Sequence, residues 1–388
     1  MRFPAVSFRA HRAVLLVAAI ATGCRGSHVE NEARPRALTS AVSRAAAPAP
    51  ATPSSSPPPR AEPAESAVVA TDTSPWASPD ACRARVGAPL EREAGRVRLG
   101  TWNLHWFPDG RPGRAPEGPG VDTEWLACVI AWMNVDVLAV QEVKHNERSK
   151  LAVAALTRAL DRFTRGAWAL QLDTCPNPHG QHVGLLFNKR RAAAGEFATF
   201  QALNPHGVPC KDQLRPGLGG YFRFPGGLDL HVISVHLKSG PAARDLGLRR
   251  KSFASFFTAF EQAFAATGDA DVVFAGDFNT MGCSRCKPSL LPEEELEGLV
   301  KILEALPRAY KLVAGASGCS YYYRGRPQAL DHFAAPSDMR ELTDAARVEG
   351  LCRKLRCEPI EPRSVAFPAR ALSDHCPVLL DIVDADRD

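Results

Sequence analysis

The stretch VVFAGDFNT, residues 272–280, decides the fold. Its first four residues are apolar and favour β-structure, so they predict a strand that is buried on both faces and stops at Gly276. Alternate side chains of an extended chain share a face, so we expect Asp277 and Asn279 to point the same way and Phe278 to return to the core. The alternative is a β-turn, in which Asp and Asn satisfy their own backbone. The ends of the other strands decide between these two interpretations.

The first 24 residues have the build of an export signal. Arginines precede a short apolar run over residues 13–20, which is typical of a secretory signal peptide and too short to span a bilayer as a mature helix. The small residues before Cys24 are similar to the lipobox of bacterial lipoproteins, in which the cysteine is acylated, although Ala21 stands where leucine is usual. We therefore expect an exported protein that is periplasmic, anchored to the outer membrane by lipid, or extracellular. A cleaved signal with an incidental cysteine is the alternative.

Residues 25–80 predict a disordered tether, because proline, alanine and serine make up more than half of them and large apolar residues are few. Residues 81–388 are then long enough for one large catalytic domain with a single core. The net charge of +5 over 388 residues argues neither for nor against a nucleic-acid partner.

Eleven cysteines are many for a reducing compartment. Acylation of Cys24 would leave an even number, which fits disulfide bonds in an exported domain. A structural zinc site at Cys283 and Cys286 with Cys352 or Cys357 is the alternative, but the spacing of the second pair favours disulfides. The pairing does not follow from the sequence.

Apolar periodicity predicts an α/β protein in which helices cover sheets. Besides residues 272–275, strands are predicted over residues 96–104, 135–141, 168–173, 182–187, 228–237, 320–323, 330–334 and 378–382. Helices are predicted from a cap at Asp122 or Thr123 to residue 133, and over residues 149–163, 241–264 and 292–306.

Polar side chains recur at the ends of these strands. They are Asn103, Gln141 with Glu142, His236, Asp277 with Asn279, Asp331 with His332, and, just before the last strand, Asp374 with His375. No G-x-S-x-G nucleophile, P-loop or dinucleotide fingerprint accompanies them. Carboxylates and amides suit a hard cation such as Mg²⁺, Mn²⁺ or Ca²⁺, and histidines beside them supply acid and base chemistry near neutral pH. The set predicts metal-assisted hydrolysis of a phosphate ester.

Six motifs, in order along the chain, resemble the endonuclease/exonuclease/phosphatase superfamily with the deoxyribonuclease I-like fold. They are TWNLH (101–105), VQEVK (140–144), SVHLKSG (234–240), AGDFNT (275–280), LDHF (330–333) and SDHCPV (373–378). The resemblance implies a four-layer α/β sandwich, in which two mainly antiparallel sheets pack face to face with helices outside. It also implies a site at one end of the sheets.

The resemblance assigns the acidic and amide residues to metal and phosphate. Glu142 is implied as the principal Mg²⁺ ligand, with Asn103 and Asp374 near the metal; Mn²⁺ or Ca²⁺ are alternatives. Asp277 and Asn279 are implied to hold the scissile phosphate and the attacking water.

The resemblance also implies two catalytic histidines. His375 would be oriented by Asp331, because a carboxylate fixes the tautomer and stabilises the protonated ring. His236 would be the other. Lys144 and Lys238 stand where backbone phosphates are contacted, with a solvated surface charge as the alternative for each.

Two features depart from the family pattern. In deoxyribonuclease I the first histidine has a glutamate partner, whereas the equivalent position here is Gln181, which cannot stabilise an imidazolium in the same way. Residues 175–224 follow no family pattern and are either a substrate-facing loop or a disulfide-braced excursion. Structural or surface roles are expected for the remaining histidines, namely His105, His145, His179 and His332.

These observations predict a secreted or lipid-anchored phosphodiesterase that depends on a divalent metal and cleaves nucleic acid, with DNA as the expected substrate. The motif VHLKSG is similar to bacterial extracellular nucleases of the superfamily, and no obligate protein partner is implied. A phospholipid or small-molecule phosphoesterase is the alternative, for which Trp106, Phe107 and Tyr321–Tyr323 would be the apolar contacts, although core or base-stacking roles explain these residues equally. A non-catalytic binding member is the third hypothesis.

Overall fold

The computed structural model describes residues 72–110, 120–175, 180–206, 215–313, 318–323, 325–343, 345–361 and 372–387. The strands in these residues are β1 (Arg96–Phe107), β2 (Val137–Val143), β3 (Trp168–Leu172), β4 (His182–Asn188), β5 (Ala193–Phe200), β6 (Gly217–Arg223), β7 (Asp229–His236), β8 (Val272–Asp277), β9 (Tyr310–Val313), β10 (Tyr321–Tyr323), β11 (Arg326–Gln328), β12 (Asp331–Pro336), β13 (Arg347–Val348) and β14 (Val378–Val383). The helices are α1 (Pro79–Arg85), α2 (Thr123–Met133), α3 (Glu147–Thr164), α4 (Ala243–Ala254), α5 (Phe256–Thr267), α6 (Pro292–Glu304) and α7 (Leu351–Leu355).

Two six-stranded sheets carry the fold, with strand orders β13-β14-β1-β2-β4-β3 and β5-β6-β7-β8-β12-β9. Each sheet has one parallel pair near its centre, β1 with β2 and β7 with β8, and its other neighbours are antiparallel. The mainly antiparallel character predicted for the sheets is therefore confirmed.

The sheets pack face to face, and the helices cover their outer faces. The core between the sheets includes Leu99 of β1 and Val273 of β8. Residues an odd number of positions further along the same strands point the other way: Trp102 packs with helices α2 and α3, and Phe274 packs with helices α5 and α6. This period-2 alternation builds the four-layer sandwich that the motifs predicted.

Local signals in the sequence account for several helix boundaries. Asp122 caps α2, because its carboxylate accepts a hydrogen bond of 2.9 Å from Trp125 N. Asn146 caps α3 through Ser149 N at the same distance. In the described part of the chain, no helix is long and apolar enough to cross a membrane.

The structure departs from the sequence-based prediction in three places. The stretch 175–224 holds β4, β5 and β6, so much of its described part belongs to the two sheets, while residues 176–179 and 207–214 lie outside the described residues. The helix predicted over residues 241–264 is two helices that meet at Ser255. Ordered structure also begins before residue 81, since Trp76 is buried and α1 starts at Pro79.

Disulfide bonds use the cysteines that the zinc hypothesis required. The described bonds are Cys82–Cys128, Cys283–Cys286, Cys319–Cys357 and Cys352–Cys376. Cys175 is disulfide-bonded as well. The prediction of disulfides is confirmed, and the alternative of a zinc site at Cys283 and Cys286 is wrong.

Candidate active site

The strand alternation places the predicted polar residues between the two sheets. Leu99 and Asn103 lie an even number of positions apart on β1, as do Val273 and Asp277 on β8, so both polar residues continue an inner, core-facing row. His236 and Asp331 continue the inner rows of β7 and β12 in the same way. The inner faces therefore meet in a polar cluster at one end of the sandwich.

Strand register sets the order of the cluster within each sheet. Asn103 pairs with Gln141 across β1 and β2. In the other sheet Asp277 pairs with His236 on one side and with Asp331 on the other. Asp277 thus lies at the centre of a row of three titratable side chains.

Residues 272–280 form both a strand end and a turn. Asp277 ends β8, and its Oδ1 accepts a hydrogen bond of 2.9 Å from Asn279 N, which is an Asx turn. Asn279 has a left-handed φ of 54° and donates from Nδ2 to Leu237 O at 3.1 Å. Phe278 is buried against Phe256, as expected. The two interpretations are compatible, because the turn is what holds both polar side chains in the cluster.

Asn103 joins the two sheets at the site. Its Nδ2 donates to Glu142 Oε1 at 3.2 Å and to Asp277 Oδ2 at 3.1 Å. Glu142 lies where the register of β2 shifts, and its φ of 59° turns it out of the regular strand path. The bulge brings the Glu142 carboxylate beside a residue of the opposite sheet.

His375 and Asp331 form a buried pair. His375 Nδ1 lies 2.7 Å from Asp331 Oδ2, and His375 Nε2 lies 3.9 Å from Asp277 Oδ2. Burial opposes protonation of the imidazole, but the carboxylates of Asp331, Asp277 and Asp374 together outweigh it, Asp331 most strongly, and raise the pKa of His375 to about 10. The ring is therefore held in one orientation and favours the charged form.

His236 is bound differently. Its Nε2 lies 3.4 Å from Asp277 Oδ2 and 3.8 Å from Glu142 Oε1, whereas its buried Nδ1 has no hydrogen-bond partner among the described residues. Burial lowers the pKa of His236 well below its ordinary value, and Arg215 lowers it further. The missing partner agrees with Gln181 standing where the family has a carboxylate.

The donor set fits a hard divalent cation. Burial and, to a lesser degree, the neighbouring carboxylates of Asp331 and Glu142 raise the pKa of Asp277 to about 7. The positive charge of His375 acts in the opposite direction. The carboxylates of Glu142 and Asp277 both accept from Asn103 Nδ2, and atoms of Asp277, Asp331 and His375 lie within 4.8 Å of one another, so negative charge is concentrated at this end of the sandwich. Several carboxylates that share one buried space repel each other, and oxygen ligands are those that Mg²⁺ prefers.

Asp374 reaches the site through a partner that the sequence did not indicate. Its Oδ1 lies 2.8 Å from His105 Nδ1, and both side chains are partly exposed. Burial opposes protonation of His105, but Asp374 raises its pKa above the ordinary value. His105, for which a structural or surface role was expected, therefore lies at the rim of the cluster.

The two lysines lie against nearby acids. Lys144 is buried and its Nζ pairs with Asp109, while Lys238 Nζ lies 3.2 Å from Asp245 Oδ1. Their role in phosphate binding stays a prediction. Of the other histidines, His332 is buried and bonded to Thr280 Oγ1 at 2.9 Å, whereas His179 lies outside the described residues.

Two further residues lie at the site although the sequence did not predict them there. Arg215 is buried, and burial lowers its pKa to about 10. The negative charges of Glu142 and Asp277 oppose this lowering. The ring of Tyr321 lies 4.6 Å from that of His375 at an angle of 38°. An arginine near a proline and glycines carries no periodic signal, and Tyr321 was considered as a contact to lipid or to bases or as a core residue, not as a neighbour of the catalytic histidine.

Fold and site together define a phosphoesterase built on two facing sheets. The sequence model described as the Endonuclease/Exonuclease/phosphatase family matches residues 100–375, and the chain belongs to that family. Its members are hydrolytic phosphoesterases. A comparison with curated protein sequences gives no match.

Several solved structures are similar in fold. The endonuclease/exonuclease/phosphatase from Bacteroides vulgatus is 16% identical, with a TM-score of 0.49, and the match covers 74% of this chain and 98% of that one. TDP2 of D. rerio complexed with single-strand DNA product gives the same values. The human Nocturnin catalytic domain with bound sulfate anion is 15% identical, with a TM-score of 0.46 and coverage of 75% and 96%.

Proposed function

We propose that the protein is a divalent-metal-dependent phosphodiesterase that cleaves nucleic acid, with DNA as its substrate. The observation that carries the proposal is the meeting of the His375–Asp331 pair with Asn103, Glu142 and Asp277 between the two sheets. The family supplies the phosphoester chemistry, and this cluster supplies the groups that such a hydrolysis requires.

Glu142, with Asn103 and Asp374, would hold Mg²⁺, for which Mn²⁺ or Ca²⁺ could substitute. When bound, the cation supplies positive charge that neutralises the phosphate. The buried carboxylates at the site fit this role, since the metal would offset their mutual repulsion.

The protein's own groups divide the remaining work. Asp277, whose pKa is raised towards neutrality by burial, accepts a proton from the attacking water. His375, fixed at Nδ1 by Asp331, donates from Nε2 to a phosphate oxygen and stabilises the charge that develops there. Asn279 has a second Nδ2 hydrogen besides the one given to Leu237 O, and it orients the phosphate.

Nucleic acid is favoured over a phospholipid by the burial of the aromatic residues. Trp106 is only 8% exposed and Phe107 is fully buried, so neither offers an apolar contact to a membrane. Tyr323 is exposed at 52%, but the other exposed large apolar residues in the described ranges lie on different elements. The resemblance of VHLKSG to extracellular nucleases supports the same choice.

The direct test is nicking of supercoiled plasmid by the oxidised full-length protein. We expect cleavage with Mg²⁺ or Mn²⁺, none with a chelator, and none from Glu142→Gln, because the amide loses the charge that holds the cation. Glu147→Gln is the matched control, since Glu147 is the first residue of α3, five positions after Glu142, and its ion pair among the described residues is with exposed Lys150. Intact plasmid together with hydrolysis of phosphatidylcholine vesicles would favour the phospholipid alternative, and undiminished activity of Glu142→Gln would remove Glu142 from the site.

Export and lipid anchoring belong to the same proposal. The apolar run before Cys24 supports an export signal, and the number of disulfide bonds agrees with an oxidising compartment. We expect cells fed a radiolabelled fatty acid to label the wild-type protein and not Cys24→Ala. An unlabelled wild-type protein would contradict the anchor.

A further inference from the structure

Residues 349–360, here called the strap, carry two disulfide-bonded cysteines beside the catalytic pair. The strap contains α7, in which Cys352 is bonded to Cys376. Cys376 directly follows His375 in the chain. Cys357, just after α7, is bonded to Cys319, which precedes Ser320.

Ser320 connects the second disulfide to Asp331. Its Oγ donates to Asp331 Oδ2 at 2.7 Å and accepts from Asp331 N at 2.9 Å. Its carbonyl accepts a hydrogen bond of 2.7 Å from Cys376 N. Ser320 and Cys376 are therefore joined directly. Disulfides bind the strap to Cys376 itself and to Cys319, the neighbour of Ser320.

Backbone contacts hold the strap against both sides of the pair. Glu349 N donates to Pro377 O at 3.0 Å, which joins the strap to the segment that carries His375. On the other side Ile360 N donates to Gly325 O at 2.9 Å, and the Tyr322 hydroxyl donates to Glu358 O at 3.0 Å. The strap thus spans the segment of His375 and the hairpin that begins after Ser320.

His375 needs such support because it lies outside a regular strand. Asp331 is the first residue of β12 and is fixed by the sheet, whereas His375 lies three residues before β14. A catalytic geometry that spans a strand and a loop is sensitive to displacements of about 1 Å, which can lower a rate by 10²-fold. Two disulfides that meet on one short segment limit that displacement.

We propose that the strap is a positioning element, which keeps His375 Nδ1 on Asp331 through the Cys352–Cys376 and Cys319–Cys357 bonds. This inference rests on the proposed function, because it assigns the strap to that catalytic pair. Its cysteines act through His375 and Asp331 and do not touch the substrate.

The test compares paired alanine variants of the disulfides. Cys352→Ala with Cys376→Ala, and Cys319→Ala with Cys357→Ala, remove the strap bonds, which span 24 and 38 positions. Cys82→Ala with Cys128→Ala is the matched control, because that bond spans 46 positions and joins α1 to α2, outside the strap. All three variants should lower Tm, since each loses a chain constraint.

Only the strap variants should lower kcat in plasmid nicking, by about tenfold or more, with KM changed little. Ser320→Ala should have the same effect without removing a disulfide, and Ser320→Thr, which keeps the hydroxyl, should restore kcat. The serine variants decide the matter if a cysteine variant does not fold. Equal kcat losses in the control and the strap variants, or unchanged kcat in the strap variants and Ser320→Ala, would overturn the proposal.

A spectroscopic signal separates this proposal from the proposed function. In metal-free protein, the His375 Nδ1 proton shared with Asp331 should give a downfield NMR signal, which is identified by its absence in His375→Ala. We expect that signal in the wild type and in the Cys82/Cys128 control, and its loss in the strap variants and Ser320→Ala. A wild-type protein that cleaves no phosphodiester would contradict the proposed function. An intact NMR signal in the strap variants would contradict the positioning role of the strap.

Discussion

His375 owes its charge chiefly to the neighbouring carboxylate of Asp331. Burial opposes protonation, and the pKa of about 10 results because Asp331, at 2.7 Å, and the charges of Asp277 and Asp374 together outweigh burial. In the proposed reaction the protonated ring stabilises the phosphate, so activity should persist as the pH rises until it approaches the pKa of His375.

Asp331→Asn removes the charge and keeps the size of the side chain. Asp331 then no longer raises the pKa of His375, while burial still lowers it, so the ring becomes neutral at a lower pH. We expect kcat to fall by about 10² or more, with a larger loss at pH 8 than at pH 6. The pH profile of plasmid nicking measures this.

Asp338→Asn is the control for this variant, because Asp338 is exposed and pairs only with Arg308. It should leave both the rate and its pH profile unchanged. The same fractional loss at pH 6 and pH 8 in Asp331→Asn would contradict the assigned role of His375.

Some residue contacts followed from the sequence and others did not. The pairing of His375 with Asp331 was predictable, because both residues stand in recognisable motifs at strand ends. The contact between His105 and Asp374 was not, since it depends on left-handed backbone at His105, with φ of 46°. Local φ values of this kind are set by tertiary packing rather than by residue type.

At the scale of elements, the parallel pair of β7 and β8 brings His236 opposite Asp277. The two strands approach so closely at Gly276 that a Cβ there would lie 1.9 Å from Val235 O. No side chain can be accommodated without moving the backbone that carries the site.

Gly276→Ala should therefore destabilise the protein by about 1–3 kcal/mol or more and lower kcat. Urea denaturation and plasmid nicking measure the two effects. Gly298→Ala on α6 is the control, because nothing lies within 4 Å of its added Cβ, and a helical alanine should raise stability by about 0.5–1 kcal/mol. Equal stability of the two variants would contradict the close approach.

Elements with continuous apolar runs were predictable, and elements without them were missed. The strands that carry Asp277 and Asp331 are predominantly apolar and were located from sequence, whereas β1, which carries Asn103, was located although only half of its residues are apolar. β6 reads GLGGYFR, and its glycines hide the strand signal although its backbone pairs on both sides. The break at Ser255 has neither proline nor glycine to mark it.

At the scale of the whole molecule, the domain begins before the boundary that composition indicates. Trp76 is 9% exposed and packs edge-on against Trp102 at 5.8 Å and Trp132 at 6.3 Å. Trp102 in turn donates to His375 O at 2.9 Å. Composition hides this residue, because it lies at the end of the Pro/Ala/Ser-rich stretch.

A protein that starts at residue 81 should be less stable than one that starts at residue 69, by about 3–5 kcal/mol, since it lacks the buried tryptophan. Denaturation in guanidinium chloride compares the two. Trp76→Ala in the longer chain should reproduce most of the loss. Equal stability of the two proteins would show that residues 69–80 contribute nothing to the domain.

The pairing of β1 with β14 joins the beginning and the end of the domain. Arg98 and Asp381 on these strands form a bidentate ion pair although they are 283 positions apart. The first sheet therefore stays incomplete while the chain is being synthesised, and only its last strand closes it. The segment that brings His375 to Asp331 immediately precedes that strand. A ribosome-bound chain that lacks it holds Glu142 and Asp277 but neither Asp374 nor His375. Under the proposed function, such a chain cannot attack the nucleic acid of the cell that makes it before its synthesis is finished.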